Sequence, residues 1–132
     1  MNAIQGWRRL VKSFGCAFRG LVSVIRSEKN FRIHLFAVFM VALLGWFFRV
    51  SSSECLALVL CCGAVLAAEV MNTSIEYLAD AIHPERDPAV GRAKDAAAGA
   101  VLIAALAAVA VGAIVFLPKI WEWLQKIQES SG

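Results

Sequence analysis

No charged residue lies between Asp95 and Lys119. An α-helix needs roughly 20 apolar residues to cross the hydrocarbon of a bilayer, and this run exceeds that length. In lipid every backbone polar group must be satisfied within the segment, so the run is a transmembrane helix, expected over 93–118. Two further apolar runs precede it. One covers 35–48 and is extended by Ile33, with Arg32 and Arg49 able to snorkel to either interface. The other starts at Cys55 and continues towards Ala81. The chain has 132 residues, 60% of them hydrophobic, and its mean hydropathy is +0.69. A soluble domain of this size exposes too much surface to hide so much apolar side chain. The expected fold is an all-α membrane protein, a single domain over 1–132. Its transmembrane helices are expected at 31–49, 55–81 and 93–118.

Residues 3–27 have a different pattern. Ile4, Trp7, Val11, Phe14, Phe18, Leu21 and Ile25 recur every three or four positions, with Arg8, Arg9, Lys12, Arg19 and Arg26 mostly off that stripe. A basic amphipathic helix rich in Trp and Phe suits an anionic membrane surface. Packing against the protein's own core is the alternative. The tail 119–132, with Trp121, Trp123, Leu124 and Ile127, is expected to be a short interfacial helix. Pro84 and Pro88 are expected to break any helix in the connector 83–92.

Polar side chains inside this apolar frame point to function. Glu69, Asn72, Glu76 and Asp80 are spaced three, four and four apart. On one helix they share an arc of roughly 80°. A carboxylate against hydrocarbon is costly unless it pairs, binds a cation, takes a proton or faces a cavity. Glu69 lies about 10 Å deeper than Glu76 along the axis, at 1.5 Å per residue, and should be the more buried acid. Two other clusters border the apolar runs. Glu28, Asn30, Arg32 and His34 either form a solvated loop or face the same site. Lys94 and Asp95 either mark the interface or approach the carboxylates through the small residues Ala96, Ala97, Ala98, Gly99 and Ala100.

Placing the N-terminus in the cytoplasm puts the basic residues 8, 9, 12, 19, 26, 29, 32, 86, 92 and 94 inside, and only Arg49, Lys119 and Lys126 outside. The positive-inside rule favours that orientation. It also brings Glu28, Glu76, Asp80, Lys94 and Asp95 to the cytoplasmic interface. Carboxylates and an Asn at that depth can hold Mg²⁺, and a nearby Lys can neutralise nucleotide phosphates. A deeper carboxylate can act as general base on a lipid hydroxyl. There is no GxxxxGK[ST] loop or kinase Gly-rich signature. The cysteines Cys16, Cys55, Cys61 and Cys62 match no metal-binding spacing. The residues alone leave three classes open: a lipid kinase, a small oligomeric transporter or ion-conducting subunit using the intramembrane acids, and a structural membrane protein.

Two motifs narrow the choice. They are Glu69-Val70-Met71-Asn72-Thr73-Ser74-Ile75-Glu76, and Ala93-Lys94-Asp95-Ala96-Ala97-Ala98-Gly99-Ala100-Val101, preceded by Glu28-Lys29-Asn30-Phe31-Arg32-Ile33-His34. With this separation, between these apolar segments, the chain resembles the small prokaryotic integral-membrane diacylglycerol kinase and undecaprenol kinase family. The resemblance covers residues 6–118.

It implies a homotrimeric helical bundle, three transmembrane helices per protomer with an N-terminal surface helix, and active sites shared between subunits. It implies phosphoryl transfer from MgATP to a membrane lipid alcohol, undecaprenol or diacylglycerol, at the cytoplasmic face of a bacterial cell membrane, with the C-terminus outside. No nucleic-acid partner is expected. By resemblance Glu69 is the catalytic base, and Glu28 and Glu76 are the Mg²⁺ carboxylates with Asn72 between them. Lys94 and Asp95 handle nucleotide and phosphate. Arg9, Asp80, Glu85 and Arg86 lie near the nucleotide. Cys16 stands where the diacylglycerol kinase branch commonly has a Tyr against the nucleotide, so the adenine pocket departs from that branch.

Overall fold

The computed structural model describes residues 3–83, 85 and 87–130, with side chains from Gln5 onward. Four helices follow in order: α1 Ala3–Ser27, α2 Lys29–Phe47, α3 Ser52–Ile82 and α4 Pro88–Ser130. The last three are long and apolar enough to cross a membrane. Short connections make them antiparallel neighbours. α4 packs most extensively on α3, and α2 packs on α3 to a lesser extent. The fold is an all-α membrane architecture with three candidate spans.

Helix α1 leaves Trp7, Leu10, Val11, Phe14 and Phe18 exposed, and among its described side chains only Val24 near its end is buried. Its apolar stripe therefore does not cover a core within the protomer, as the alternative reading required. It is available to a bilayer surface.

The break between α1 and α2 is a single residue. Glu28 has an extended backbone (φ −96°, ψ 117°) and its side chain makes no capping bond. Arg32 does local work there, donating from Nη1 to the carbonyls of Ile25 at 3.1 Å and Arg26 at 3.0 Å. Those last-turn acceptors have no intrahelical partner.

α2 ends in a Schellman motif. Val50 N–H bonds Gly45 O at 3.1 Å and Arg49 N–H bonds Trp46 O at 3.3 Å, with Arg49 at φ 51°. α3 then opens with a capping box. Ser51 Oγ accepts from Glu54 N–H, and Glu54 Oε2 accepts from Ser51 N–H at 2.7 Å. At this end lies the buried cluster Leu58, Val115 and Phe116, with Val41, Phe48, Val50, Val111 and Ile120 against it.

Two elements depart from the sequence reading. α4 begins at Pro88, not 93, because Asp87 caps it. Asp87 Oδ1 accepts from Ala89 N–H at 2.6 Å and Val90 N–H at 3.1 Å. Proline at the first helical position loses no bond, so Pro88 starts a helix it was expected to prevent. At the other end, the stretch 119–130 is not a separate helix but continues α4 through Pro118. Proline removes one helical bond, yet contacts on the far side hold the continuation. Lys119 Nζ pairs with Glu54 Oε1 at 3.1 Å, Ile120 joins the core, and Trp123 meets Phe47 edge-on at 6.2 Å between centroids. With 43 residues, α4 is about 64 Å long, roughly twice the hydrocarbon thickness.

Candidate active site

The polar face of α3 forms a series of contacts at increasing height along the helix. The deepest is Glu69, 5% exposed, whose Oε1 lies 3.1 Å from His34 Nε2 on α2. At that distance the two atoms share one hydrogen bond, and with Glu69 as a carboxylate Nε2–H is the donor and Oε1 the acceptor. One turn higher, Asn72 Nδ2 donates to Glu76 Oε1 at 2.8 Å. Helical residues four apart are neighbours, so the bond follows from the spacing. It leaves Asn72 Oδ1 buried without a partner among the described residues. An orphaned buried acceptor costs about 1–3 kcal/mol.

Higher again, the Tyr77 hydroxyl donates to Glu28 Oε1 at 3.4 Å and lies 2.5 Å from Ser27 Oγ. The phenol thus holds the α1–α2 junction against α3, and Glu28, not being used as a cap, presents its carboxylate beside the same helix face. At the top, Lys94 Nζ bonds Asp80 Oδ1 at 2.6 Å, joining α4 to α3.

Above that pair opens a cavity of about 410 Å³ lined by Asp80, His83, Glu85, Asp87, Gly91 and Lys94, among others. The N–H groups of Val90 and Ala89 hold the Asp87 carboxyl below its usual range. One wall therefore stays negative at neutral pH and below.

One protomer gathers Glu28, Glu69, Asn72, Glu76, Asp80 and Lys94 along this face, with Glu85 at the cavity. Asp95 is exposed and bonded to none of them. Arg9 and Cys16 lie earlier on α1, about 28 Å and 18 Å along the axis from Glu28, at 1.5 Å per residue. Cys16 Sγ there accepts from Arg19 at 3.2 Å. Arg86 lies outside the described residues. A Cβ at Gly99 would meet nothing within 4 Å, so its smallness is not used for packing inside the protomer.

Ser27, Tyr77 and the His34–Glu69 pairing were missed in the sequence. Tyr77 sits one residue after Glu76 and could have been found as the one phenol in an apolar chain.

Among the described residues no three His, Cys, Asp or Glu side chains form a ready metal cluster. The carboxylates of Glu28 and Glu76 and the unpartnered amide oxygen of Asn72 are nonetheless hard oxygen donors, the kind Mg²⁺ takes.

A family model for prokaryotic diacylglycerol kinase matches residues 15–116. The chain is 38% identical over 112 residues to the undecaprenol kinase of Bacillus subtilis (strain 168), covering 85% of this chain and 91% of that one. It is 35% identical over 118 residues to a diacylglycerol kinase of Synechocystis, covering 89% of this chain and 67% of that one. To the diacylglycerol kinase of Escherichia coli (strain K12) it is 32% identical over 108 residues, covering 82% and 88%. A family match over residues 15–116, with relatives 38% and 32% identical over more than four fifths of the chain, means that this protein belongs to the prokaryotic diacylglycerol kinase family and is a membrane lipid kinase.

Proposed function

We propose that the protein transfers the γ-phosphoryl group of MgATP to the hydroxyl of undecaprenol, with diacylglycerol as the second acceptor to test. The observation that carries the transfer is the graded polar face of α3, from the buried Glu69 to the exposed Asp80–Lys94 pair. A lipid alcohol brings its hydroxyl from the hydrocarbon side and a nucleotide brings its phosphates from water. This face offers a group to each. The choice of undecaprenol is supported by the higher identity to an undecaprenol kinase, 38% against 35% and 32% for two diacylglycerol kinases.

In the proposed reaction Glu69 accepts the hydroxyl proton as the lipid oxygen attacks the γ-phosphorus, and ADP leaves. No covalent enzyme intermediate is needed, and the rate comes from alignment and charge neutralisation. Glu28 and Glu76, with Asn72 beside them, would hold Mg²⁺, which supplies charge neutralisation at the phosphates. Lys94 exchanges Asp80 for phosphate oxygens, and Asp95 acts beside it. Asp80 and Glu85 line the nucleotide's approach, and Arg86 is assigned to the nucleotide by the family resemblance alone. The orientation has the N-terminus and site in the cytoplasm, supported by the ten basic residues on that side. The assembly is a homotrimer by the family resemblance, and a site shared between subunits is supported by the separation of Arg9 and Cys16 from the carboxylates within one protomer. A neighbouring subunit would bring them in.

The test is phosphoryl transfer from [γ-³²P]ATP in mixed micelles with Mg²⁺, undecaprenol and diacylglycerol in separate tubes. Label in undecaprenol at a kcat/KM at least tenfold above diacylglycerol is expected. Equal or reversed labelling overturns the acceptor, and no label in either overturns the transfer.

A further inference from the structure

His34 stands between two different surroundings. Its Nε2 is 3.1 Å from Glu69 Oε1, and among the described residues Glu69 has no other side-chain partner. The same imidazole is the polar end of a groove of about 250 Å³ whose lining is otherwise apolar or thiol, with Val38, Val41, Cys62, Val65 and Phe116 along it. The Glu69 side chain is 6% exposed and that of His34 is 26% exposed. A pair that served only to compensate a buried charge would be sealed. This one has a sealed acid, and its partner opens onto a hydrocarbon-lined space at the depth where a lipid hydroxyl must meet the base.

A glutamate side chain has three torsions, and a general base works only when a carboxylate lone pair lies within hydrogen-bond reach of the proton it removes. Holding Oε1 fixes the carboxyl plane and leaves Oε2 as the proton-accepting oxygen. Misplacement of a reacting group by about 1 Å can cost on the order of 100-fold in rate.

From this geometry we infer that His34 is a positioning residue for the transfer reaction. Its Nε2–H clamps Glu69 Oε1 and sets Oε2 towards the acceptor hydroxyl. The inference rests on the proposed role of Glu69 as base, and it adds a second residue, from α2, to the site. His34 exchanges no proton with the substrate, and the hydroxyl proton still ends on Glu69.

The test uses the full-length protein in mixed micelles with undecaprenol and MgATP, and three variants. His34→Leu keeps bulk and removes the donor. His34→Gln offers an amide N–H near the place of Nε2. Glu69→Gln is the control for the base. The expected result is a 30- to 100-fold fall in kcat for His34→Leu, with KM for MgATP within twofold of wild type. His34→Gln should recover kcat to within about fivefold. The double variant His34→Leu/Glu69→Gln should be no slower than Glu69→Gln alone, as for groups acting as a unit.

A wild-type kcat in His34→Leu, alongside an inactive Glu69→Gln, overturns this inference and leaves the base intact. An active Glu69→Gln overturns the base itself. If His34→Gln is as slow as His34→Leu, or the loss in both follows a fall in Tm, the pair is structural and the inference fails.

Discussion

The two ends of the helical bundle use their acids differently. At the far end, Glu54 accepts from Ser51 N–H, pairs with Lys119 and sits beside a core of Leu58, Val115 and Phe116. Both of its oxygens complete a helix cap or tie α3 to α4. At the near end, Asn72 Oδ1 is buried without a partner among the described residues, Asp95 is exposed, and the Asp80–Lys94 pair faces solvent. An exposed pair contributes only about 0–1 kcal/mol. The near end thus has more polar groups than its helices need. Where every polar atom is accounted for by local structure the acid is architectural, and where it is not, the surplus marks the site.

The sharpest way to break this contrast is to neutralise one acid at each end. Glu69→Gln is expected to lower lipid phosphorylation by about 10²–10⁴-fold, the usual contribution of a general base, with the helical fold retained. Glu54→Gln should leave turnover within about twofold and lower Tm instead. Radiolabel transfer and thermal unfolding, measured on both variants, check the pair. Comparable turnover losses in both would remove the distinction between the ends.

Glu76→Gln sharpens the near end. Asn72 Nδ2 would then face an amide rather than a carboxylate, and one hard oxygen ligand would be weakened. A fall of about tenfold or more in kcat is expected, with the Mg²⁺ titration displaced to higher concentration. An unchanged magnesium midpoint would take Glu76 out of the metal site.

Much of this contrast was legible in the sequence, but partners were not. Periodicity fixes which face of α3 carries Glu69, Asn72, Glu76 and Asp80, so the Asn72–Glu76 bond follows from the spacing. It cannot say which neighbouring helix meets that face. For that reason Lys94–Asp80 could only be anticipated, and His34–Glu69 was not identified. The polar cluster before α2 also resisted a single reading, because it divides. Glu28 turns to Tyr77, Arg32 is used on carbonyls of α1, and His34 goes to Glu69. Helix ends were misjudged at both ends of α4, where Pro88 was read as a breaker and 119–132 as a separate helix. Pro88 follows a capping Asp87, and Pro118 lies where Lys119, Ile120 and Trp123 hold the helix from outside.

At the far end smaller effects should separate cap from chemistry. Ser51→Ala removes the side-chain oxygen that accepts from Glu54 N–H. Loss of an N-cap costs about 1 kcal/mol. Denaturant or thermal unfolding in detergent should show that loss while kcat for phosphoryl transfer stays within twofold. A cap variant that lost turnover in proportion to Glu69→Gln would mean that the ends are coupled through α3.

The smallest effect is expected at Arg49, which ends α2 at φ 51°. A side chain at that left-handed position is disfavoured by roughly 1–2 kcal/mol, and glycine adopts it without a Cβ clash. Glycine also gains more freedom in the unfolded chain, which offsets part of that relief. Arg49→Gly should therefore stabilise by about 0.5 kcal/mol, a rise of a few degrees or less in Tm, with turnover unchanged. Arg49 is also one of only three basic residues on the outer side of the proposed topology. If Arg49→Gly instead destabilised the protein, the guanidinium would be holding the α2 end at the interface by snorkelling, and its contribution there would exceed the backbone strain it imposes.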